Sequence, residues 1–130
     1  MTALLLDTHA YVWAVTAPDR LSDTARTAIE DPTTRLYVSA ATAWEMAIKL
    51  RAGRWPEAEP LLRSHDQTCE RLGAEQLTIT SGDAMTAGRL GWDHRDPFDR
   101  MLAAQAIGTR STLITRDAAF RELPGLDVNW

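Results

Sequence analysis

The chain has 130 residues and a formal net charge of -4, which arises from 18 acidic and 14 basic side chains. The hydrophobic fraction of 45% is typical of a globular protein and excludes intrinsic disorder, and the length favours one domain over residues 1–130. No apolar run approaches a membrane span, the N-terminus lacks a signal-like segment, and a single cysteine, Cys69, excludes an internal disulfide. We therefore expect a cytoplasmic protein without a membrane partner. The acidic balance argues, at first, against a nucleic-acid partner.

Strand-like and helical patterns alternate along the chain. The first half predicts a strand over 3–6, helices over 8–16 and 22–30, a strand over 36–38, and a helix capped by Ser39 or Thr42 that ends near Arg51. The second half predicts helices over 60–72 and 81–90, a strand over 77–80, a helix over 96–107, a strand over 112–115, a helical turn over 118–123 and an edge strand at 127–128. This alternation indicates an α/β fold with a mainly parallel sheet.

Two aspartates follow predicted strands. Asp7 comes directly after the first strand, and Asp117 lies just after the strand that contains Ile114. In open parallel sheets, ligands bind beyond the carboxyl ends of the strands, so both positions are candidates for a functional site. The alternative is that each aspartate only caps the helix or turn that follows it.

The segment 96–99 begins the best-marked helix and contains a more informative acid. Asp96 suits the N-cap, because Pro97 then falls at the first helical position, where its missing N–H costs nothing. Asp99 shares a helix face with apolar side chains, which are Leu102, Ala103, Ala106 and Ile107. A carboxylate on such a face needs a cation or hydrogen-bond donors. The alternative is that Asp99 completes a capping arrangement with Asp96.

Glu45 lies on a helix that is apolar nearly all round, which predicts a buried helix with Trp44 in the core. A buried glutamate requires a partner. Two local explanations remain open, because Thr42 and Glu45 fit a capping box and Glu45 and Lys49 fit a favourable i,i+4 ion pair.

Asp7, Glu45, Asp99 and Asp117 can meet at one edge of the predicted sheet. Four carboxylates placed together repel each other, and a divalent cation relieves that repulsion. Oxygen ligands without histidine or cysteine favour Mg²⁺ or Mn²⁺, and the usual chemistry of such a site is metal-assisted phosphodiester hydrolysis. These four acids account for the whole net negative charge, so the acidic balance no longer argues against RNA.

Four stretches, at 4–9, 39–49, 94–106 and 113–120, resemble the PIN-domain endoribonucleases, and among them the VapC toxins of type II toxin–antitoxin pairs. The resemblance implies a single PIN domain with a three-layer α/β/α sandwich around a central, mainly parallel sheet. It implies metal-ligand or metal-orienting roles for Asp7, Glu45, Asp99 and Asp117, with Asp96 as an additional acid beside them. Segment 54–73 matches no motif, and Cys69 within it is given no role.

The resemblance further implies a Mg²⁺-dependent, or Mn²⁺-dependent, endoribonuclease that inhibits translation and growth. Its implied partners are RNA, a second copy of the chain and a VapB-type antitoxin whose C-terminal segment covers the site. Arg95, Arg100 and Arg116 are candidates for phosphate contacts, since the planar guanidinium binds phosphate oxygens in pairs. Thr115 matches a hydroxyl position near the site and is a further candidate for substrate contact, His94 is a candidate for RNA contact, and His9 is predicted to pack.

Two other interpretations compete with the nuclease. Another aspartate-dependent α/β phosphohydrolase would want a second Asp two residues after Asp7, where His9 stands, and a receiver domain needs a lysine near a late strand end, whereas the only lysine is Lys49. A non-catalytic α/β binding module would use all four acids as helix caps.

Overall fold

The computed structural model describes residues 2–130, in which five β-strands and seven α-helices alternate. The strands are β1 (Ala3–Leu6), β2 (Arg35–Ser39), β3 (Ala74–Leu77), β4 (Thr112–Ile114) and β5 (Val128–Asn129). The helices are α1 (Thr8–Thr16), α2 (Asp23–Glu30), α3 (Ala40–Arg51), α4 (Glu59–Arg63), α5 (His65–Leu72), α6 (Ser81–Arg89) and α7 (Pro97–Thr109). Short 3₁₀ turns occupy Pro18–Arg20, Pro56–Ala58 and Ala118–Glu122.

The five strands form one parallel sheet in the order β3-β2-β1-β4-β5. Strand β1 is central, because Leu6 pairs with Val38 of β2 on one side and with Ile114 of β4 on the other. The chain runs outward from β1 through β2 to β3 and then returns to β4 on the opposite side. The switch point therefore lies between β1 and β4, and a crevice is expected beyond their carboxyl ends.

The sheet is covered on both faces, which confirms the predicted α/β/α architecture. Leu4 and Leu6 enter one core with α1, α2 and α5, whereas Leu5 enters the other with α7. Successive side chains of a strand point to opposite faces, so a strand buried on both faces is a continuous apolar run. Cys69 is buried in the first core, where burial raises the pKa of its thiol.

Side-chain caps fix where the helices near the sheet edge begin. Ser39 accepts a hydrogen bond from the N–H of Ala41 and caps α3, and Asp96 caps α7 as predicted. Thr42 lies inside α3, so the alternative of a capping box between Thr42 and Glu45 is ruled out. Gln105 of α7 is buried, accepts a hydrogen bond from the Ser39 hydroxyl and donates one to the carbonyl of Thr78 (3.0 Å), which ties α7 to both neighbours.

Two predicted elements differ from the structure in the part of the chain without matching motifs. The predicted helix over 60–72 is two helices, α4 and α5, because the backbone leaves helical geometry at Ser64. The strand predicted over 77–80 lies earlier in the chain, because the observed strand β3 ends at Leu77, where the predicted strand was expected to begin. Strand β3 follows Gly73, whose left-handed conformation (φ 75°) ends α5, and Glu75 and Gln76 of this edge strand are exposed.

Trp44 is exposed, so its predicted core position is wrong. Its residue surface is 56% accessible, and Ile48, one helical turn later, is also exposed. The face of α3 that packs on the protein instead contains Ala41, Glu45 and Met46. A helix that is apolar on several faces does not reveal which face meets the sheet.

None of the helices in residues 2–130 is long and apolar enough to cross a membrane.

Candidate active site

A cavity of about 540 Å³ opens beyond the carboxyl ends of β1 and β4. Its wall contains all four predicted acids and Asp96. Each of the four comes from a different part of the fold: Asp7 follows β1, Glu45 lies on α3, Asp99 on α7, and Asp117 follows β4. The other lining residues are Thr8, His9, Trp13, Lys49, Arg116, Ala118 and Phe120. The topology therefore brings these acids together, as the strand-end argument predicts.

Asp7 is, with Glu45, one of the two buried acids. Its backbone N–H bonds to the carbonyl of Ile114 (3.0 Å), which continues the β1–β4 pairing by one residue, and its carboxylate accepts a hydrogen bond from the N–H of Ala10 (2.7 Å). Asp7 therefore does cap α1, yet its carboxylate also faces the cavity. Burial raises the pKa of Asp7, and the charge of Glu45 raises it further, while a hydrogen bond from Thr115 lowers it.

Asp99 is paired with a histidine across the start of α7. Nε2 of His94 lies 2.6 Å from Oδ2 of Asp99, so the Asp99 carboxylate is not engaged in the alternative capping arrangement with Asp96. Burial raises the pKa of Asp99 to about 6, and the charges of Asp96 and Glu45 also raise it, against the lowering effect of the His94 bond. Repulsion among the acids in the cavity therefore contributes to the raised pKa of Asp99.

Glu45 is buried and held by two donors. The hydroxyl of Thr8 donates to Oε1 (2.6 Å), and the ammonium of Lys49 lies 2.8 Å from Oε2. The predicted Glu45–Lys49 ion pair is thus confirmed. Thr8 also contacts the hydroxyl of Thr42 (3.3 Å), which links the first turn of α1 to α3 inside the protein.

Asp117 and Asp96 lie at the mouth of the cavity and both cap the element that follows. Asp117 accepts a hydrogen bond from the N–H of Ala119, and Asp96 accepts from the N–H groups of Phe98 and Asp99. Both side chains remain exposed, so capping leaves them accessible from solvent.

The donor set fits a hard divalent cation. The acidic groups that line the cavity offer oxygen ligands from several elements, and the pKa values of Asp7 and Asp99 are raised partly by neighbouring carboxylates. Within residues 2–130, no three His, Cys, Asp or Glu side chains converge closely enough to hold an ion as they stand. Instead, Asp7, Glu45 and Asp99 are held by N–H, hydroxyl, ammonium and imidazole donors, which a cation would replace in part.

One wall of the cavity is aromatic and cationic. His9 is exposed and stands between Trp13 and Trp55, with ring centroids at 5.4 and 4.8 Å. The guanidinium of Arg116 lies over the ring of Trp13, 5.2 Å from its centroid, and the ammonium of Lys49 lies over Trp55 at 5.1 Å. His9 therefore packs, as predicted, through tilted ring contacts with two tryptophans at the surface, beside the acids.

Of the three predicted phosphate-binding arginines, Arg116 lines the cavity, whereas Arg95 and Arg100 do not. Arg95 is exposed outside the cavity wall. The guanidinium of Arg100 is engaged by backbone carbonyls between Ala87 and His94, which is at odds with a substrate contact. Thr115 is fully buried, so its predicted contact with substrate is also not supported. Its hydroxyl instead bonds Asp7 and accepts from the N–H of Asp117.

Two contributors were missed by sequence reasoning. Thr8 follows the predicted ligand Asp7 directly, and its hydroxyl could have been proposed as a donor, but its partner Glu45 lies 37 residues away. His94 was considered for RNA contact and not as a partner of Asp99. The segment between α6 and α7 has no regular period from which a side-chain direction could be inferred.

Comparisons with known proteins agree with this geometry. Residues 4–126 match the family model described as PIN domain. Ribonuclease VapC22 of Mycobacterium tuberculosis (strain ATCC 25618 / H37Rv) is 35% identical over 122 residues, which are 93% of this chain and 92% of that protein.

Two solved structures share the fold. VapBC2 from Rickettsia felis, bound to a DNA fragment from its promoter, has a TM-score of 0.72 at 18% identity and covers 98% of each chain. DNA-bound VapBC from Salmonella typhimurium has a TM-score of 0.73 at 20% identity and covers 99% of this chain and 98% of that one.

Proposed function

This chain belongs to the PIN-domain family, and we propose that it is the ribonuclease toxin of a VapBC-type toxin–antitoxin pair. It hydrolyses phosphodiester bonds within RNA and thereby inhibits translation and growth. Family nucleases of this kind are metal-dependent, and we propose Mg²⁺ as the ion here, with Mn²⁺ as a substitute. We further propose that residues 1–130 form one PIN domain that acts in the cytoplasm.

The observation that carries this proposal is the convergence of Asp7, Glu45, Asp99 and Asp117 on one cavity at the switch point of the sheet. We assign these four as the catalytic carboxylates and metal ligands, and Asp96 as an accessory acid at the rim. When bound, the ion supplies positive charge that polarises the phosphodiester and lowers the pKa of water.

Neighbouring side chains orient the carboxylates that would bind the ion. Thr8 and Lys49 each engage one oxygen of Glu45 and so orient its carboxylate, and Thr115 orients both Asp7 and the backbone of Asp117. Carboxylates that are held by the scaffold need little reorganisation when substrate arrives.

The RNA strand is proposed to cross the aromatic and cationic wall. Arg116 can bind a phosphate through its planar fork, and the exposed ring of His9 offers a surface for a base. This wall adjoins the acids directly, so the phosphate next to the scissile one would lie against cations. The cation–π contact of Arg116 with Trp13 holds the guanidinium at the rim of the cavity.

Two protein partners are proposed. An apolar surface formed by the exposed Trp44 and Ile48 and the half-buried Phe98 is suited to a second copy of the chain; the ring centroids of Trp44 and Phe98 are 4.8 Å apart. A VapB-type antitoxin would cover the acidic cavity, where an arginine of its C-terminal segment could pair with the carboxylates.

The test is cleavage of RNA by the purified chain in Mg²⁺ and in EDTA. Asp7→Asn and Asp117→Asn should each lower the rate about 100-fold or more, because each removes a charge that holds the ion. Asp127→Asn is the matched control, since Asp127 is exposed and lies outside the cavity. Undiminished cleavage by the Asp7→Asn protein would contradict the assignment. Absence of cleavage by the unmodified chain, with no shift of its melting temperature by Mg²⁺, would favour a non-catalytic binding module.

A further inference from the structure

His94 reaches Asp99 from the irregular segment between α6 and α7. Its Nε2 lies 2.6 Å from Oδ2, and the two side chains are 28% and 21% exposed, respectively. An ionised carboxylate only accepts hydrogen bonds, so the proton of this bond belongs to His94. Oδ2 is thereby engaged by His94, whereas Oδ1 has no hydrogen bond to any residue in the described part of the chain.

Arg100 holds the segment that carries His94. Its Nη1 donates to the carbonyls of Trp92 (2.7 Å) and His94 (3.0 Å), and its Nε donates to the carbonyl of Ala87 (2.9 Å). Nη2 donates to the carbonyl of Leu90 at 2.8 Å. Arg100 is the residue after Asp99 on α7, so one guanidinium ties the histidine segment to the helix that carries the acid.

The imidazole is also fixed through its ring. The indole of Trp92 is stacked on it, with centroids at 4.7 Å and an interplanar angle of 28°. Trp92 in turn packs on the buried ring of Phe120 at 5.5 Å. Two contacts therefore fix the orientation of the His94 side chain: Arg100 holds its backbone carbonyl, and Trp92 stacks on its ring.

We propose that His94 is a positioning residue for the metal ligand Asp99, and that Arg100 acts through His94. This inference rests on the proposed function, because it takes Asp99 as a ligand. By engaging Oδ2, His94 would fix the orientation of the carboxylate and leave Oδ1 as the oxygen that Asp99 offers to the ion. The sequence-based role of Arg100 in phosphate binding is replaced by a role in backbone attachment. Hydrogen bonds to ligating carboxylates are known to tune metal affinity.

The readout is the Kd for Mn²⁺ or Mg²⁺, measured by calorimetry on the metal-free full chain without RNA. His94→Ala should weaken metal binding about 10-fold to 100-fold. His94→Gln, whose amide can still donate to Asp99, should recover most of the affinity, and the shorter His94→Asn should not. This Gln and Asn pair keeps the comparison available if the alanine variant does not fold.

Arg100→Lys keeps the positive charge but loses the guanidinium that reaches several carbonyls at once. It should therefore weaken metal binding, as His94→Ala does. If Arg100 acts through His94, adding Arg100→Lys to His94→Ala should cause no further loss of affinity. Arg89→Lys, an exposed arginine at the end of α6, is the matched control. Melting in EDTA measures any loss of fold separately.

A His94→Ala protein that melts earlier but binds metal with unchanged Kd would overturn the positioning role. Additive losses in the double variant would overturn the proposed route from Arg100 through His94. These results are distinct from failure of the proposed function, in which the unmodified chain itself neither binds the metal nor cleaves RNA.

Discussion

Replacing Asp99 by asparagine should stabilise the metal-free protein. Burial, together with the charges of Asp96 and Glu45, raises the pKa of Asp99 from 3.8 to about 6, so the folded state disfavours its charged form. Asparagine keeps the shape and can still accept a hydrogen bond from His94, but it carries no charge. The cluster of acids thus lowers the stability of the metal-free protein, as functional sites commonly do.

The size of the effect follows from the displaced pKa. A change of one in pKa corresponds to about 1.4 kcal/mol, so the full displacement would be worth about 3 kcal/mol. Because the Asp99 side chain is 21% exposed, solvent screening reduces the expected gain to about 1–2 kcal/mol. For a chain of this length, that gain raises Tm by about 3–8 °C.

The gain should depend on pH in a defined direction. Well below the ordinary pKa of 3.8 the carboxyl is neutral in the folded and the unfolded chain, so the two proteins should melt alike. As the pH rises, the unfolded chain ionises first, and the penalty on the folded unmodified protein grows until the pH passes about 6. The Asp99→Asn advantage is therefore absent at low pH and complete at neutral pH.

The assay is thermal unfolding in EDTA from about pH 3 to about pH 8, with Asp127→Asn as control. Saturating Mg²⁺ should reverse the order, because the unmodified protein gains stability on binding and the variant loses a ligand. An Asp99→Asn protein that is less stable than the unmodified chain at neutral pH in EDTA would refute this reasoning. So would a gain that does not change with pH.

Three further predictions concern other parts of the molecule. Trp44→Arg should convert the proposed dimer to a monomer in light scattering, since it places charge on the apolar surface around Trp44; an unchanged mass would exclude that surface as the interface. Arg116→Ala should raise KM for RNA about 10-fold with little change in kcat, and steady-state kinetics at two salt concentrations would detect it; an unaltered KM would remove Arg116 from the substrate path. Gln105→Met should lower the free energy of unfolding by about 1–3 kcal/mol in denaturant titrations, because Ser39 and Thr78 lose a buried partner; a neutral result would mean that water replaces it.

The parts of the site that could be predicted are those with local signals. Asp7 ends an apolar run, and Asp99 follows an N-cap and a proline, so a few neighbouring residues place each on its element. Parallel pairing then brings strand ends together without any knowledge of side-chain direction.

The parts that could not be predicted depend on distant or irregular contacts. The bond from Thr8 to Glu45 joins two helices, and the bond from His94 to Asp99 depends on how a loop is attached. Trp44 was misplaced because α3 has apolar residues on both its packed and its open faces. Strand β3 was misplaced because an edge strand with exposed Glu75 and Gln76 has little hydrophobic alternation.

The single lysine of the chain, Lys49, stands on the wall of the acidic cavity, 2.8 Å from Glu45. An amine-selective reagent therefore has only two targets in the sequence, the α-amino group and this side chain. A fluorophore coupled at Lys49 would report from inside the site without any introduced cysteine, while the arginine-rich surface stays unlabelled. Because the sequence contains one lysine, Lys49 offers a single side chain for a spectroscopic label beside the carboxylates of the site.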